Sequence, residues 1–325
     1  GYKKTTSTKK SGDKSHFFGK FTNSFISGKN NENNLEISLQ EVSNRKYLKL
    51  YRVESELVDY ETNTLENFVN FDHYNDEKDF FLAFKSSMYR NLSDTYNDKY
   101  EFILPDINFN KNLYNENFGN GNLNSNFKVR NYDTNKTEKF FINDFDWEYD
   151  KSFTKLPYDG KVLLNLKNVN YEINNVEKFK KDTTSEIFGS LGYLANLNLI
   201  KEQANGTDHL LKPKILLRYS PNHMRKETGD YSLYRENIFS LNRLNSSSNY
   251  ESGSNLTYGF DYEMDGESHI NFSIGQIINE KKNNRNMPDS SSLDKRFSDI
   301  IGNFGFSKDN FNFNYNYSLD QNFNE

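Results

Sequence analysis

The sequence predicts an all-β fold, an antiparallel transmembrane β-barrel with about 14 strands in this chain. Three observations lead to this prediction. Apolar and polar residues alternate over unusually long segments, the chain is rich in aromatic residues although it is polar overall, and short and long links between strands alternate. The chain has 325 residues, a length that suits a single barrel.

The alternation is clearest in the C-terminal third of the chain. Successive side chains of a strand point to opposite faces, so a two-residue period gives one apolar and one polar face. Here the pattern runs for about nine residues, the length with which a tilted strand crosses an outer membrane. The predicted lipid-facing residues are Leu256, Tyr258, Phe260, Tyr262, Ile270, Phe272 and Ile274. The predicted lumen-facing residues are Asn255, Thr257, Asp261, Asn271 and Ser273.

Composition supports a membrane barrel and excludes other classes. Aromatic residues make up 16% of the chain, yet only 34% is hydrophobic and the mean hydropathy is −0.94. A thin apolar band with aromatic girdles around a wet lumen has this composition. AT-rich coding bias accounts for much of the Asn and Lys, but not for aromatics at alternate positions. The net charge of −5 comes without a basic stripe, which argues against nucleic-acid binding.

Strand patterns recur along the whole chain, and no segment has a convincing helical period. Residues 45–56 are ambiguous between a short helix and a loop. Links in the C-terminal half alternate between short and long, as in barrels with tight turns on one side of the membrane and long loops on the other. Residues 220–254 and 278–299 are the predicted long loops, and we expect them to face outward. The predicted strands cover residues 16–25, 35–42, 65–71, 79–89, 100–109, 122–132, 140–149, 162–171, 187–199, 210–219, 255–264, 270–277, 300–306 and 311–319.

Nothing in the sequence predicts an enzyme, a cofactor or a metal site. The chain has no Cys, its five histidines have no metal-ligand spacing, and it lacks a phosphate loop or a nucleophile elbow. One strand carries an acidic strip, which is either a cation-binding or lumen-facing face or a solvated strand end: Asp144, Asp146, Glu148 and Asp150. Pro105 and Pro213 lie inside strand patterns, where they mark strand ends or bulges or else weaken pairing at a site that opens.

The segment from residue 210 to residue 280 resembles the lipopolysaccharide-assembly protein family of the Gram-negative outer membrane, the organic solvent tolerance proteins. An ordered set of short motifs carries this resemblance. They are Leu211-Lys212-Pro213-Lys214-Ile215, Leu217-Arg218-Tyr219-Ser220-Pro221, Asp230-Tyr231-Ser232, Glu236-Asn237-Ile238-Phe239, Leu241-Asn242-Arg243-Leu244, Thr257-Tyr258-Gly259 and Phe272-Ser273-Ile274-Gly275-Gln276.

The resemblance implies a conduit that inserts lipopolysaccharide into the outer leaflet, located in the cell outer membrane. It implies lipopolysaccharide, outer-membrane lipid, a lipoprotein plug in the lumen and periplasmic bridge proteins as partners. The resemblance also gives a set of candidate residues within these motifs, which we call the family-motif positions. They are Pro213, Asp230, Glu236, Asn237, Asn242, Arg243, Gly259, Gly275 and Gln276. We expect residues 1–325 to be part of a larger barrel domain, with a periplasmic domain and the gate strands outside this chain. Two alternatives stay open: another large barrel, such as a porin or receptor, and a soluble Asn-rich β-protein that binds glycans.

Overall fold

The computed structural model describes residues 14–93, 100–150 and 158–320, apart from residues 178, 181, 205, 222, 228, 230, 245 and 282–284. These residues form fifteen strands, a short α-helix, α1 (Tyr47–Tyr51), and one turn of 3-10 helix at Asp289–Ser291. The strands are β1 (His16–Ile26), β2 (Asn31–Val42), β3 (Thr64–Asn75), β4 (Phe80–Asn91), β5 (Tyr100–Asn115), β6 (Gly119–Tyr132), β7 (Lys136–Asp150), β8 (Asp159–Asn174), β9 (Thr184–Asn196), β10 (Leu199–Glu202), β11 (Asp208–Ser220), β12 (Gly253–Asp265), β13 (His269–Asn279), β14 (Ile300–Lys308) and β15 (Phe311–Leu319).

The strands form one sheet whose order follows the chain from β1 to β15, with β10 beside the path. Neighbouring strands pair antiparallel, as in β12 with β13 and β14 with β15. An all-β antiparallel sheet of this kind is consistent with part of a barrel, so the predicted fold class is confirmed. Within the described ranges, no helix has the length and apolar character needed to span a bilayer.

The additional strand arises from a split in the predicted strand at residues 187–199. That segment forms β9 and β10, and β11 pairs with β9 through Lys214–Tyr219 and with β10 through residues 208–211. Pro213 lies between these two paired stretches, and it has no N–H to donate to a neighbouring strand. Proline therefore coincides with the break in pairing. Pro105 lies at a shift in the register between β4 and β5, which agrees with the predicted bulge.

The alternation of link lengths is present as predicted. Short links join β12 to β13 and β14 to β15, whereas residues 221–252 and 280–299 form the long links. The ambiguous segment at residues 45–56 contains the five-residue helix α1.

The chain falls into two compact units. Unit 1 comprises Gly1–Leu113, Asn122–Asn143 and Asn168–Glu186, and unit 2 comprises Tyr114–Gly121, Asp144–Lys167 and Ile187–Glu325. Unit 1 contains a small apolar cluster made of Val42, Tyr47, Leu48, Val58, Leu65 and Leu92. Unit 2 contains a larger one made of Met224, Leu233, Ile238, Leu244, Ile277, Met287, Leu293 and Ile301.

Candidate functional site

The strands of unit 2 have two chemically different faces. On one face, the register aligns Leu211, Tyr262, Phe272, Phe304 and Tyr315 side by side across β11 to β15. On the other face, Lys212, Asp261, Ser273, Asn303 and Asn316 form the matching row. All predicted lipid-facing residues lie on the first face and all predicted lumen-facing residues on the second. The assignment of these faces to lipid and lumen stays a prediction.

The two faces also differ in exposure near the ends of the strands. On the apolar face, Leu217 is 54% and Tyr219 57% exposed. On the polar face, Thr257, Ser273 and Asn255 are 0%, 4% and 8% exposed. This is the reverse of an ordinary soluble sheet, in which the apolar face is covered.

Two long links cover the polar face. We call residues 221–252 the first cover segment and residues 280–299 the second cover segment. The first contributes Met224, Leu233, Ile238 and Leu244 to the apolar cluster of unit 2, the second contributes Met287 and Leu293, and the strands contribute Ile277 and Ile301. The long loops are therefore packed against the sheet, which the sequence analysis did not anticipate. Their predicted position on the outer side stays a prediction.

A glycine in β13 makes room for the first cover segment. A Cβ atom at Gly275 would lie 3.1 Å from Ile238 Cδ1 and 3.5 Å from Phe239 Cε2. Its partner in β12, Gly259, also has no space, because an added Cβ would clash with the Ile274 carbonyl oxygen. These two family-motif glycines thus allow the backbone of the sheet and the cover to approach closely.

A buried ion cluster fixes the first cover segment to the strands. It comprises Arg218 from β11 and Arg243 and Glu251 from the cover, all with side chains at most 1% exposed. Arg243 Nε donates to Glu251 Oε2 at 2.8 Å, and Arg218 Nη1 lies 3.6 Å from Glu251 Oε1. Arg243 also reaches the predicted lumen-facing Thr257, with 3.4 Å between Nη1 and Oγ1. Burial alone raises the pKa of Glu251, but the two guanidinium groups outweigh it and hold that pKa below its usual range.

The cluster continues through Tyr250 to β7 and β8. The Tyr250 ring lies 5.9 Å from Lys167 Nζ and 6.0 Å from Arg218 Cζ, within the range of cation–π attraction. Its hydroxyl lies 2.5 Å from Ser190 Oγ, and burial raises the pKa of Tyr250 above its ordinary value. Lys167 in turn pairs with Asp144 at 2.9 Å.

The predicted acidic strip is largely paired with β8. Asn165 Nδ2 donates to both Asp144 and Asp146 at 2.7 Å, while Lys161 lies 3.7 Å from Glu148 and 3.6 Å from Asp150. Among the described residues, no cluster of three or more His, Cys, Asp or Glu could hold a metal ion. The strip therefore acts within the sheet as a set of ion pairs and hydrogen bonds.

Several family-motif positions lie in a cover segment or contact one. Asn242 Oδ1 accepts from the Glu251 amide at 3.3 Å, and Gln276 Nε2 donates to the Ser298 carbonyl at 2.9 Å. Asn237 stabilises its own turn by accepting from the Tyr234 amide at 2.9 Å. Glu236 is exposed, and Asp230 lies outside the described residues. Among these positions, Asn242, Arg243 and Gly275 belong to the covered polar surface, whereas Gln276 lies on the apolar face, opposite Tyr258.

Sequence reasoning omitted four residues of this surface from its candidate positions. These are Lys167, Arg218, Tyr250 and Glu251. For Arg218 the sequence pattern does indicate a position on the polar face, because it is a charged residue in the polar phase of β11. Its neighbours Leu217 and Tyr219 are exposed on the other face. Tyr250 and Glu251 lie in an irregular segment, where no periodicity marks a buried position.

Comparison with known proteins identifies the family. The family model for LPS transport system D, LptD, matches residues 14–325. A search of the curated proteins found no match. Members of this family are outer-membrane proteins of Gram-negative bacteria that transport lipopolysaccharide, and they bind lipopolysaccharide and interact with other components of the Lpt pathway. Since the match covers nearly the whole chain, this protein belongs to the LptD family of lipopolysaccharide transport proteins.

Proposed function

We propose that the polar face of unit 2 lines the lumen of the lipopolysaccharide conduit and that the apolar face meets membrane lipid. The observation that carries this proposal is the separation of the two faces in register across β11 to β15. The exposed apolar side chains support the lipid assignment, because an apolar face needs no protein cover in hydrocarbon. The polar lumen face includes Asn255, Thr257, Asp261, Asn271 and Ser273.

Lipopolysaccharide has a polar part and an apolar part, as the sheet has a polar face and an apolar face. The sugar part of lipopolysaccharide requires a polar path, which Asp261, Asn271 and Asn303 supply on the lumen face. The acyl chains require lipid, which they reach where strands separate. Opening a seam exposes backbone groups in hydrocarbon at a cost of several kcal/mol each, so the seam must be a weakly paired one.

The cover segments narrow the conduit in this proposal. Both pack on the polar face of unit 2, and the first is fixed there by the cluster of Arg218, Arg243 and Glu251. They lie at the strand ends that carry the long links, which we assign to the outer side of the membrane. Passage of a sugar chain then depends on how firmly these segments are held.

The remaining parts of the transport system follow from the family. We propose that residues 1–325 are part of the barrel domain, and that a periplasmic domain and the gate strands lie elsewhere in the full protein. We also propose a lipoprotein plug in the lumen and a periplasmic bridge as the Lpt partners. The protein acts as a conduit and not as an enzyme, works without a cofactor, and receives its energy from outside this chain.

The transport function is tested by depleting the full-length protein and following newly made lipopolysaccharide. We expect its arrival at the cell surface to stop while general porins still assemble. Arrival at the normal rate would contradict the conduit. A small-solute defect with normal arrival would favour a porin or receptor, and folding of the full protein without detergent would favour a soluble glycan-binding protein.

The assignment of the faces is tested by placing a carboxylate on each. Phe272→Asp puts a charge on the proposed lipid face, where a central Lys or Arg costs about 2–4 kcal/mol and Asp somewhat less. We expect reduced assembly in the membrane, measured by the heat-modifiable folded band of the full-length protein. The matched control is Asn314→Asp, at an exposed position on the polar face of β15. Equal assembly of both variants would show that the faces are assigned wrongly.

A further inference from the structure

A groove crosses the apolar face of unit 2 near the ends of the strands that carry the cover segments. It has a volume of about 570 Å³, within the usual range for ligand sites. Its apolar lining comes from five strands that are neighbours in the sheet: Val162, Leu191, Tyr193, Leu217, Leu256 and Ile278. Four gaps of about 4.8 Å between strands make it roughly 19 Å long. An acyl chain fills one leaflet of hydrocarbon, about 15 Å, so the groove is long enough for one such chain lying across the strands.

A polar cavity of about 460 Å³ adjoins this groove. It lies where the two cover segments meet the strand ends, and Ser220, His223, Ser252 and Asn286 are among its lining residues. Tyr219, Ser254, Asn279 and Glu280 line both spaces. The apolar groove and the polar cavity are therefore continuous. Tyr219 lies at their boundary, where its ring suits the apolar groove and its hydroxyl suits the polar cavity.

Positive charge is in excess at this boundary. Arg296 lines the groove and Lys281 lines the cavity, whereas Glu280 lines both. Arg296 is exposed, and its backbone is fixed because its carbonyl accepts from the Asn279 amide at 2.7 Å. Arg218 also lines the groove, but its charge is paired with Glu251, which leaves two cations against one carboxylate. This excess favours an anionic group, and a guanidinium fits phosphate or carboxylate oxygens through paired hydrogen bonds.

We propose that the groove and the cavity together bind one anionic acylated glycolipid of the outer leaflet. Its acyl chain lies along the apolar groove, its charged group lies between Arg296 and Lys281, and its sugars enter the polar cavity. The proposal rests on the assignment of the apolar face to lipid made above. The acyl half of this site lies on the apolar face, whereas its sugar half lies at the strand ends beside the two cover segments.

Photocrosslinking in the full-length protein in its own membrane tests this site. A benzophenone side chain in place of Tyr219 should form adducts with lipopolysaccharide. The same group in place of Leu319, which is on the same apolar face at the corresponding end of β15 and outside the groove, should form far fewer. Similar yields at both positions, or adducts mainly with phospholipid at Tyr219, would mean that the face carries only an unselective lipid layer and would overturn the proposal.

Charge reversal tests the polar half. Arg296→Glu and Lys281→Glu should each lower the yield of lipopolysaccharide adduct at Tyr219 by at least about fivefold, the effect of one basic contact with an anionic lipid. Lys308→Glu, at the exposed end of β14, should leave the yield unchanged. An unchanged yield in both boundary variants would overturn the proposal. Delivery of new lipopolysaccharide is measured separately by depletion, so failure of the lipid site and failure of the conduit are distinguishable.

Discussion

Two segments of this chain fold back onto strands, and they are held there in different ways. In unit 1, residues 43–63 form a cap whose buried residues are Tyr47, Leu48 and Val58. In unit 2, the first cover segment buries apolar residues too, but it also buries Arg243 and Glu251. We attribute the difference to length, because the longer segment brings far more irregular backbone out of water.

Buried backbone groups need hydrogen-bond partners, and outside helices and strands side chains must supply them. Arg218 donates to the carbonyls of Leu241, Gly253 and Glu251. Asn249 and Asn286 donate to carbonyls in the first cover segment, and Asn279 donates to carbonyls in the second. The shorter cap includes a helical turn, and the exposed Asp59 accepts from the amides of Glu61 and Thr62 in an adjacent turn. In the long first cover segment, buried charged and amide side chains therefore satisfy the backbone groups that secondary structure would otherwise satisfy.

The largest effect is expected for removal of the central carboxylate. Glu251→Ala leaves Arg218 and Arg243 buried without their counter-charge, at a cost of about 3–5 kcal/mol. We expect the first cover segment to become sensitive to protease in the purified full-length protein. Glu236→Ala, at an exposed position of the same segment, is the control. Full protease resistance of Glu251→Ala would show that apolar packing alone holds the cover.

In the cap of unit 1, the matching change removes an apolar side chain. Leu48 is 1% exposed, and Leu48→Ala should cost about 2–5 kcal/mol through lost burial and a cavity. Protease should then cleave within residues 43–63, with the first cover segment unaffected. Lys49→Ala changes an exposed neighbour on the same helix and should have little effect. If Leu48→Ala made both the cap and the first cover segment sensitive to protease, the two segments would not be anchored independently.

A smaller effect on the first cover segment is expected when the hydroxyl of Tyr250, which lies next to the ion cluster, is removed. Tyr250→Phe keeps the ring near Arg218 but removes the hydroxyl that pairs with Ser190 at 2.5 Å. Loss of one buried partner costs about 1–3 kcal/mol. The protease sensitivity of the first cover segment should rise less than in Glu251→Ala. Tyr234→Phe, at an exposed site, is the control, and equal behaviour of the two Tyr variants would exclude the hydroxyl from the anchor.

The sequence predicted the strands well because each strand has its own local signal. Leu256 to Met264 keep a two-residue phase that depends on no other part of the chain, and the observed strand matches it. The covers could not be predicted in this way. Glu251 is buried between Arg243 of its own segment and Arg218 of β11, and no local pattern indicates this. A polar irregular segment predicts a solvated loop instead. The glycines at positions 259 and 275 were recognised through the family motif, but their role in close packing required the structure.

The anchor of the first cover segment should also respond to acid. The pKa of Glu251 is below its ordinary value of 4.5 because Arg218 and Arg243 overcome the effect of burial. A group with a lowered folded-state pKa contributes stability that is complete above its unfolded-state pKa and is lost as the pH falls through the folded-state value. Protease sensitivity of the first cover segment, assayed with an acid-active protease, should therefore rise below about pH 4.5. Glu251→Gln should remove this dependence and leave the segment more sensitive at neutral pH. If the pH response persisted in Glu251→Gln, another carboxylate would be the group that titrates. The acid sensitivity would then not come from the Glu251 anchor.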